Sequence, residues 1–390
     1  MPGPDPLHRA ARFLCRCQWK LLSGPFAFLV LLVAQATGQE LLVSPAAREI
    51  HNAGLLFDGH NDLAWQMRKV GESSFDVLDI AKPQPRLHTD IARLRTGGVK
   101  AQFWSVYVPA GTDLTGDALL QTLQQIDIVH RMHRHYPDTF QLASTAEEIE
   151  QAVAKGKIAG MLGIEGGHSI RGSLPVLRRL YDLGCRYMTL THSRSLDWAD
   201  SATDEPKSGG LSPFGEEVIR EMNRLGMLVD LSHVSPDTMK HALRITKAPV
   251  IFSHSSARAI NDHPRNVPDD VLKLTATNGG VVMINFFSGF VVPSAQLREN
   301  EKASGSLKTV VDHIEHVIKV AGVNHVGIGA DYDGVSRVPD RLEDVSTYPR
   351  ITQALLDRGY DRNAIHAILG GNVMRVLRDA ERVSKGLNGE

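Results

Sequence analysis

The stretch LLFDGHNDLAW, residues 55–65, ends an apolar run with Asp58, His60 and Asp62 at alternate positions. Residues two apart on a β-strand share a face, so the three ionisable groups point the same way. Burying them together is costly unless each has a partner, and a divalent cation would supply one. Other apolar runs finish in the same manner. Glu165 lies near the end of IAGMLGIEG, His192 ends CRYMTLTH, His233 ends GMLVDLSH, His254 lies in APVIFSHS and Asp331 in HVGIGADYD.

Neutral imidazoles together with carboxylates are a ligand set for zinc or a related divalent ion. They are too many for one tetrahedral ion, and two ions would share them across a bridging carboxylate. The expected division is His60, Asp62 and Glu165 on one ion, with Glu165, His233 and His254 on the other. Water shared by two such ions becomes hydroxide near neutral pH, a nucleophile that needs neither Ser nor Cys, and this directs attention to hydrolysis. Asp331 then suits a proton carrier between the attacking water and the leaving group. His192 suits a hydrogen-bond donor to the developing oxyanion.

Asp58 lies one strand step deeper than His60 and reads as a hydrogen-bonding support behind the ligands. His168, in EGGHSI, reads as supporting or structural, with Gly166 and Gly167 letting the backbone come close to the ions. His130, His133 and His135 share an expected helix with Arg131 and Arg134 and read as solvated.

Positioning these residues requires strand ends that converge. Eight apolar runs, at 55–60, 100–108, 158–166, 185–192, 226–233, 248–255, 280–287 and 325–333, alternate with longer amphipathic stretches. In the stretch 117–136, Leu119, Leu120, Leu123, Ile126 and Val129 recur with helical period; 212–226 behaves likewise, and 363–383 reads as a closing helical region. No glycine-rich phosphate loop follows the first run, so a closed (β/α)8 TIM barrel is expected rather than an open doubly wound sheet. Active sites of such barrels lie at the C-terminal ends of the strands, where these polar residues fall.

The 390 residues, 42% of them hydrophobic, suffice for a large core, and a formal net charge of -1 without basic runs argues against a nucleic-acid footprint. Arg9, Arg12, Arg16 and Lys20 precede the apolar stretch 26–34 and a small-residue segment, the layout of a secretory signal over 1–38. That stretch is too short to span a bilayer, so no stable membrane anchor is expected in the mature chain, residues 39–390. Loss of the signal would remove Cys15 and Cys17 and leave Cys185 without an intramolecular partner. The polar C-terminus VSKGLNGE carries no hydrophobic tail of the kind a glycolipid anchor requires.

The blocks DGHNDL, AQFWSVYVP, GIEGGHSI, YMTLTHS, LSPFGEEVIREMNRLGMLVDLSHVS, APVIFSHSSARA, RNVPDDVL and GIGADYDG together resemble the membrane (renal-type) dipeptidases, peptidase group M19, from about residue 45 to 382. The resemblance implies a metal-dependent amidohydrolase barrel with two zinc ions that cleaves dipeptides, in some members also unsaturated dipeptides and β-lactams. Matched block by block, it implies metal ligands at His60, Asp62, Glu165, His233 and His254, a substrate-binding histidine at His192 and a catalytic aspartate at Asp331. It adds Arg265 as the partner of the substrate's free carboxylate.

There are departures. Animal members carry disulfide cysteines where this chain has Ala110 and Arg194, and their NTPW segment reads SLDW at 195–198. With ADSATD at 199–204, the chain looks closer to bacterial members, and export to a periplasm or the extracellular space is expected. The expected function is a zinc-dependent dipeptidase, with dipeptides as partners and a homodimer compatible with the sequence. One alternative is another binuclear amidohydrolase acting on a cyclic amide or acylated amino acid; a cyclic-amide hydrolase need not have Arg265. A non-catalytic zinc-binding barrel would be expected to have lost a ligand or Asp331, and none is lost.

Overall fold

The computed structural model describes residues 43–389, so the expected signal segment lies outside the described residues. Nine parallel strands form one sheet: β1 (Leu56–Asn61), β2 (Val99–Ser105), β3 (Phe140–Leu142), β4 (Ile158–Glu165), β5 (Cys185–Thr189), β6 (Leu228–Asp230), β7 (Ile251–Phe252), β8 (Val281–Ile284) and β9 (Val326–Ile328). The sheet closes on itself. β9 pairs with β1 through Asp58 and Ile328, and β2 pairs with β4 from Ala101↔Ala159 to Ser105↔Gly163. The eight expected runs are the eight barrel strands, with helices alternating between them.

β3 was not expected. It pairs with the N-terminal half of β4, from Phe140↔Ile158 to Leu142↔Gly160, while β5 takes the C-terminal half. Three residues are too few to show a strand period. Conversely, the ladders of β6 and β7 end before the polar residues of their runs, so His233 and His254 sit on loops just past the sheet.

The helix Ala118–His135 forms where its period places it, but its buried face differs from the leucine stripe. Leu120 and Leu123 are 58% and 39% exposed, whereas Ala118, Thr122, Gln125, Ile126, Val129, Met132 and His133 face inward. His133 is therefore buried rather than solvated. Its Nδ1 bonds the Val129 carbonyl at 2.8 Å, and Gly160 leaves it room, since a Cβ there would lie 2.0 Å from its Nε2.

The helix Pro213–Leu225 shows how local chemistry sets its ends. Ser212 caps the orphan N–H of Gly215, Pro213 occupies the first turn, and Gly226 ends the helix at φ +81°. The closing region is two helices, Arg362–His366 and Asn372–Asn388, joined by a π-helical turn over Ala367–Gly371. No helix among the described residues is long and apolar enough to cross a membrane.

Inside the barrel, aromatic packing reaches up to the site. Phe57 stacks on Phe103 at 5.1 Å, and Phe103 meets Tyr187 edge-on at 4.8 Å. Gly163 makes this layer feasible, because a Cβ there would lie 2.0 Å from the Tyr187 ring.

His313 is also buried and is locked neutral: its Nδ1 accepts from the Ala257 N–H at 3.0 Å while Nε2–H donates to the Val291 carbonyl at 3.0 Å. Burial pushes the pKa of both His133 and His313 down to about 4. The unfolded chain, with histidines near 6.5, binds protons first as pH falls. Their contribution to stability is thus complete above about pH 6.5 and is lost as pH falls through 4. The urea midpoint should drop across that window, and His313→Gln, which cannot titrate, should show a shallower slope in the same unfolding measurement.

Candidate active site

Each strand end delivers its residue to one place. His60 is on β1, Glu165 closes β4, and His192, His233, His254 and Asp331 follow β5, β6, β7 and β9 within three residues. Asp62 arrives differently from the expectation. β1 ends at Asn61, and Asp62 occupies the N-cap position of the helix Leu63–Lys69, so a turn rather than strand alternation brings it beside His60.

Glu165 is the centre. Its Oε2 lies 3.4 Å from His60 Nε2, and its Oε1 lies 3.1, 3.5 and 3.6 Å from the Nε2 atoms of His233, His192 and His254. His60 Nε2 is also 3.2 Å from Asp62 Oδ2. All are buried except His192, whose side chain is 17% exposed.

The hydrogen bonds behind these rings determine what the rings present. Ser253 Oγ donates to Asp230 Oδ2 at 2.6 Å, so it receives the Nδ1–H of His254 at 2.8 Å and leaves His254 Nε2 as a bare lone pair. That lone pair faces His233 Nε2 at 2.8 Å. His60 Nδ1 bonds the Tyr187 hydroxyl at 2.7 Å, while His60 Nε2 and Asp62 Oδ1 are buried without a hydrogen-bond partner.

Burial holds His233 and His254 well below the ordinary histidine pKa, with Arg265 adding to the effect, so both rings are neutral. Burial pushes Glu165 upward, but His60 and the hydrogen bonds from His192 and His233 outweigh it and keep the carboxylate ionised. Burial lowers the His60 pKa, but Tyr187, Glu165 and Asp62 outweigh it and hold His60 well above the ordinary histidine value, so its proton offsets part of the carboxylate charge; a divalent cation would supply that charge in its place. The donor set fits zinc-like ions.

Three clusters have ligand atoms within 4.8 Å of one another: His60, Glu165 and His254; Glu165, His192 and His233; and His60, Asp62 and Asp331. His254 therefore lies near both His60 and His233, and His192 and Asp331 sit within reach of the ligand cluster.

The supporting residues are themselves satisfied. Asp58 accepts from the N–H groups of His60 and Ala330 and from the Tyr348 hydroxyl at 2.6 Å, which makes it a brace beneath the ligands, as its depth on β1 implied. Asp230 accepts from Thr189, Ser253 and two backbone N–H groups. Sequence reading overlooked Asp230, although LVDLSH sets it below a site histidine much as LLFDGH sets Asp58.

Asp331 and His233 adopt left-handed backbone, at φ +66° and +68°, a strain held by the surrounding bonds. Asn285, also overlooked, donates to Asp331 Oδ2 at 2.7 Å. Burial, reinforced by Asp62 and Glu165, raises the Asp331 pKa to about 8. His88 grips the same loop from below: its N–H donates to Asp333 Oδ1 at 2.7 Å, and its Nδ1 accepts from the Asp333 N–H at 2.9 Å.

Gly166 and Gly167 make room for neighbouring rings: a Cβ on Gly166 would strike the His168 ring at 2.4 Å, and one on Gly167 would strike Trp198 at 2.4 Å. His168 is structural, bonding the Val108 carbonyl.

A cavity of about 380 Å³ opens over the cluster, lined also by Trp65, Tyr107, Arg265, Phe287 and Phe290. Arg265 is buried there. Its guanidinium hydrogen bonds are long, 3.4 Å to Ser255 Oγ and 3.3 Å to the His254 carbonyl; it lies over the Phe290 ring at 5.3 Å, and no carboxylate of the described residues lies within 4 Å. Burial lowers its pKa to about 10, which leaves it charged.

A family model described as membrane dipeptidase, peptidase family M19, matches residues 45–390. The chain is 43% identical to an uncharacterised dipeptidase of Schizosaccharomyces pombe, with 85% of this chain and 82% of that protein covered. It is 39% identical to the dipeptidase aclJ of Aspergillus oryzae, covering 99% and 93%. A solved metallopeptidase from Rhodobacter sphaeroides, liganded with a phosphinate mimic of the dipeptide L-Ala-D-Ala, superposes with TM-score 0.75 at 24% identity over 84% of this chain and 99% of that one. The chain belongs to the membrane dipeptidase family, peptidase M19, and is a metallodipeptidase by class.

The bond from His254 to Ser253 and on to Asp230 yields a test. Ser253→Ala removes the acceptor that fixes the His254 tautomer, so affinity for a divalent ion should fall about 10- to 100-fold. Zinc titration against a competing chelator measures it.

Proposed function

We propose that this protein is a zinc-dependent dipeptidase that recognises the free C-terminal carboxylate of its substrate, with two ions bridged by Glu165. The observation that carries this reading is Arg265: a buried guanidinium without a carboxylate partner, in the same cavity as the ligand cluster. An unpaired buried charge is costly, and a ligand carboxylate held through two charge-assisted hydrogen bonds would relieve it. A cyclic amide offers no such group, which favours the dipeptide over the cyclic-amide alternative. The dipeptide mimic bound by the Rhodobacter metallopeptidase agrees with a cavity of this kind.

Bound at the cluster, the ions would polarise the scissile carbonyl and lower the pKa of water. His60, Asp62, Glu165, His233 and His254 would hold them. Asp331, buried beside the cluster, would take a proton from the attacking water and pass it to the leaving amine. Asn285 holds one Asp331 oxygen, leaving the other for this transfer. His192, at the rim beside Tyr107, would donate a hydrogen bond to the oxygen of the tetrahedral intermediate. The basic and apolar N-terminal segment favours export, to a periplasm or outside the cell.

Elemental analysis of active protein should find about two divalent ions per chain, and chelation should abolish hydrolysis. Glu165→Gln should lose both metal and rate, because it removes the charge that holds the cations together. Asp331→Asn should keep metal and lose roughly 10²- to 10⁴-fold in kcat. Equal loss of metal in both variants would show the two roles to be misassigned.

Arg265→Met separates a carboxylate partner from a structural arginine. Losing the pair should cost roughly 2 to 5 kcal/mol, about 30-fold to several thousandfold in kcat/KM on a free dipeptide. Hydrolysis of the corresponding dipeptide amide, already slow, should change little. Measuring kcat/KM for both substrates with both enzymes gives the comparison, and equal slowing of acid and amide would make Arg265 structural.

A further inference from the structure

Resting on the dipeptidase reading, we infer that Phe290, backed by Phe287, reads the side chain of the substrate's C-terminal residue, so that dipeptides ending in an apolar and above all an aromatic residue are preferred. With the carboxylate at Arg265 and the scissile carbonyl at Glu165, the C-terminal residue spans the space between them. Its Cα is one bond from the carboxylate carbon, so its side chain leaves the backbone beside the guanidinium.

The wall at that point is aromatic. The Phe290 ring centre lies 5.3 Å from Arg265 Cζ, and Phe287 meets Phe290 edge-on at 4.9 Å. Both rings are half-buried and line the cavity, so they present apolar surface to it. Phe290 is fixed rather than loose. Asn266 Nδ2 donates to its carbonyl at 2.8 Å, Asn261 Nδ2 donates to the Gly289 carbonyl at 2.7 Å, and the His263 ring packs behind it at 4.6 Å.

Charge sharpens the choice. The carboxylates that line the cavity, Asp62, Glu165 and Asp331, belong to the ligand and proton-transfer cluster, and its one guanidinium is committed to the substrate's terminal carboxylate. A second carboxylate on the C-terminal side chain would meet aromatic rings with no cation to pair it. An aromatic side chain would instead bury apolar surface against Phe290 and could stack on it.

The test uses the metal-loaded enzyme with Ala-Phe, Ala-Ala and Ala-Asp. Wild type should favour Ala-Phe over Ala-Ala by about 10- to 100-fold in kcat/KM, with Ala-Asp slowest. Phe290→Ala should collapse the Ala-Phe to Ala-Ala ratio toward one, whereas Phe290→Leu, which keeps an apolar wall, should retain part of it. Calorimetry gives a readout independent of turnover: the product phenylalanine should bind more tightly than alanine, and the difference should vanish in Phe290→Ala. Thermal unfolding checks that both variants are folded. An unchanged ratio in a folded Phe290→Ala, or Ala-Asp hydrolysed as fast as Ala-Phe, overturns the inference while leaving the dipeptidase reading intact. Failure to hydrolyse any of the three dipeptides would overturn that reading and the inference with it.

Discussion

Glu165 is an ionised carboxylate at the mouth of the barrel, faced by four imidazole nitrogens within 3.6 Å. The rest of the site follows from what that grouping requires. Two of the rings are held neutral by burial, while Tyr187, Glu165 and Asp62 overcome burial at His60 and hold it well above the ordinary histidine pKa, so its proton offsets part of the carboxylate charge. A set of lone pairs and anions closed off from water is stable only around positive charge. A bound divalent cation would take over the charge balance that the His60 proton supplies in the metal-free cluster.

Burying so many ionisable groups together opposes folding unless other interactions hold them in place. The layer below the ligands does this through fully used carboxylates: Asp58 ties β1 to β9 and to Tyr348, and Asp230 ties the ends of β5, β6 and β7 together through Thr189, Ser232 and Ser253. Because each acceptor is already occupied, these carboxylates do not compete for metal. Through Ser253, Asp230 also fixes which nitrogen of His254 faces inward. The left-handed backbone at His233 and Asp331 is tolerated for the same reason, since bonds to neighbouring strands and loops determine those positions more strongly than local preference does.

The cavity above the cluster divides its work between charge and shape. Arg265 supplies the single guanidinium among its lining residues, and the aromatic side chains supply apolar surface on two sides, Trp65 with Tyr107 near His192 and Phe287 with Phe290 near Arg265. A small substrate with one anionic end is suited to this arrangement. The segment SLDW contributes Trp198 packed against Gly167 rather than in the cavity lining.

Strand periodicity and the polar residues at strand ends were enough to read the barrel and to expect these side chains at one rim, because each depends on spacing along one strand and on a fold that gathers strand ends there. Asp58 could be assigned its supporting role for the same reason: its depth on β1 is a local property. Properties that depend on contacts between distant segments could not be read this way. The helix 118–135 was legible, but its leucines are not its buried face, because the barrel surface favours smaller residues such as Ala118 and Thr122 there and buries His133 over Gly160. β3 is stabilised by β4 rather than by any pattern of its own three residues. The tautomer of His254, set by Ser253 and Asp230, and the lack of a carboxylate beside Arg265 are relations between strands and loops that adjoin only after the barrel closes. Sequence therefore determined which residues could do the chemistry, and tertiary structure decided which atoms they present and which charges remain unpaired, because hydrogen-bond direction and burial exist only between surfaces that have met.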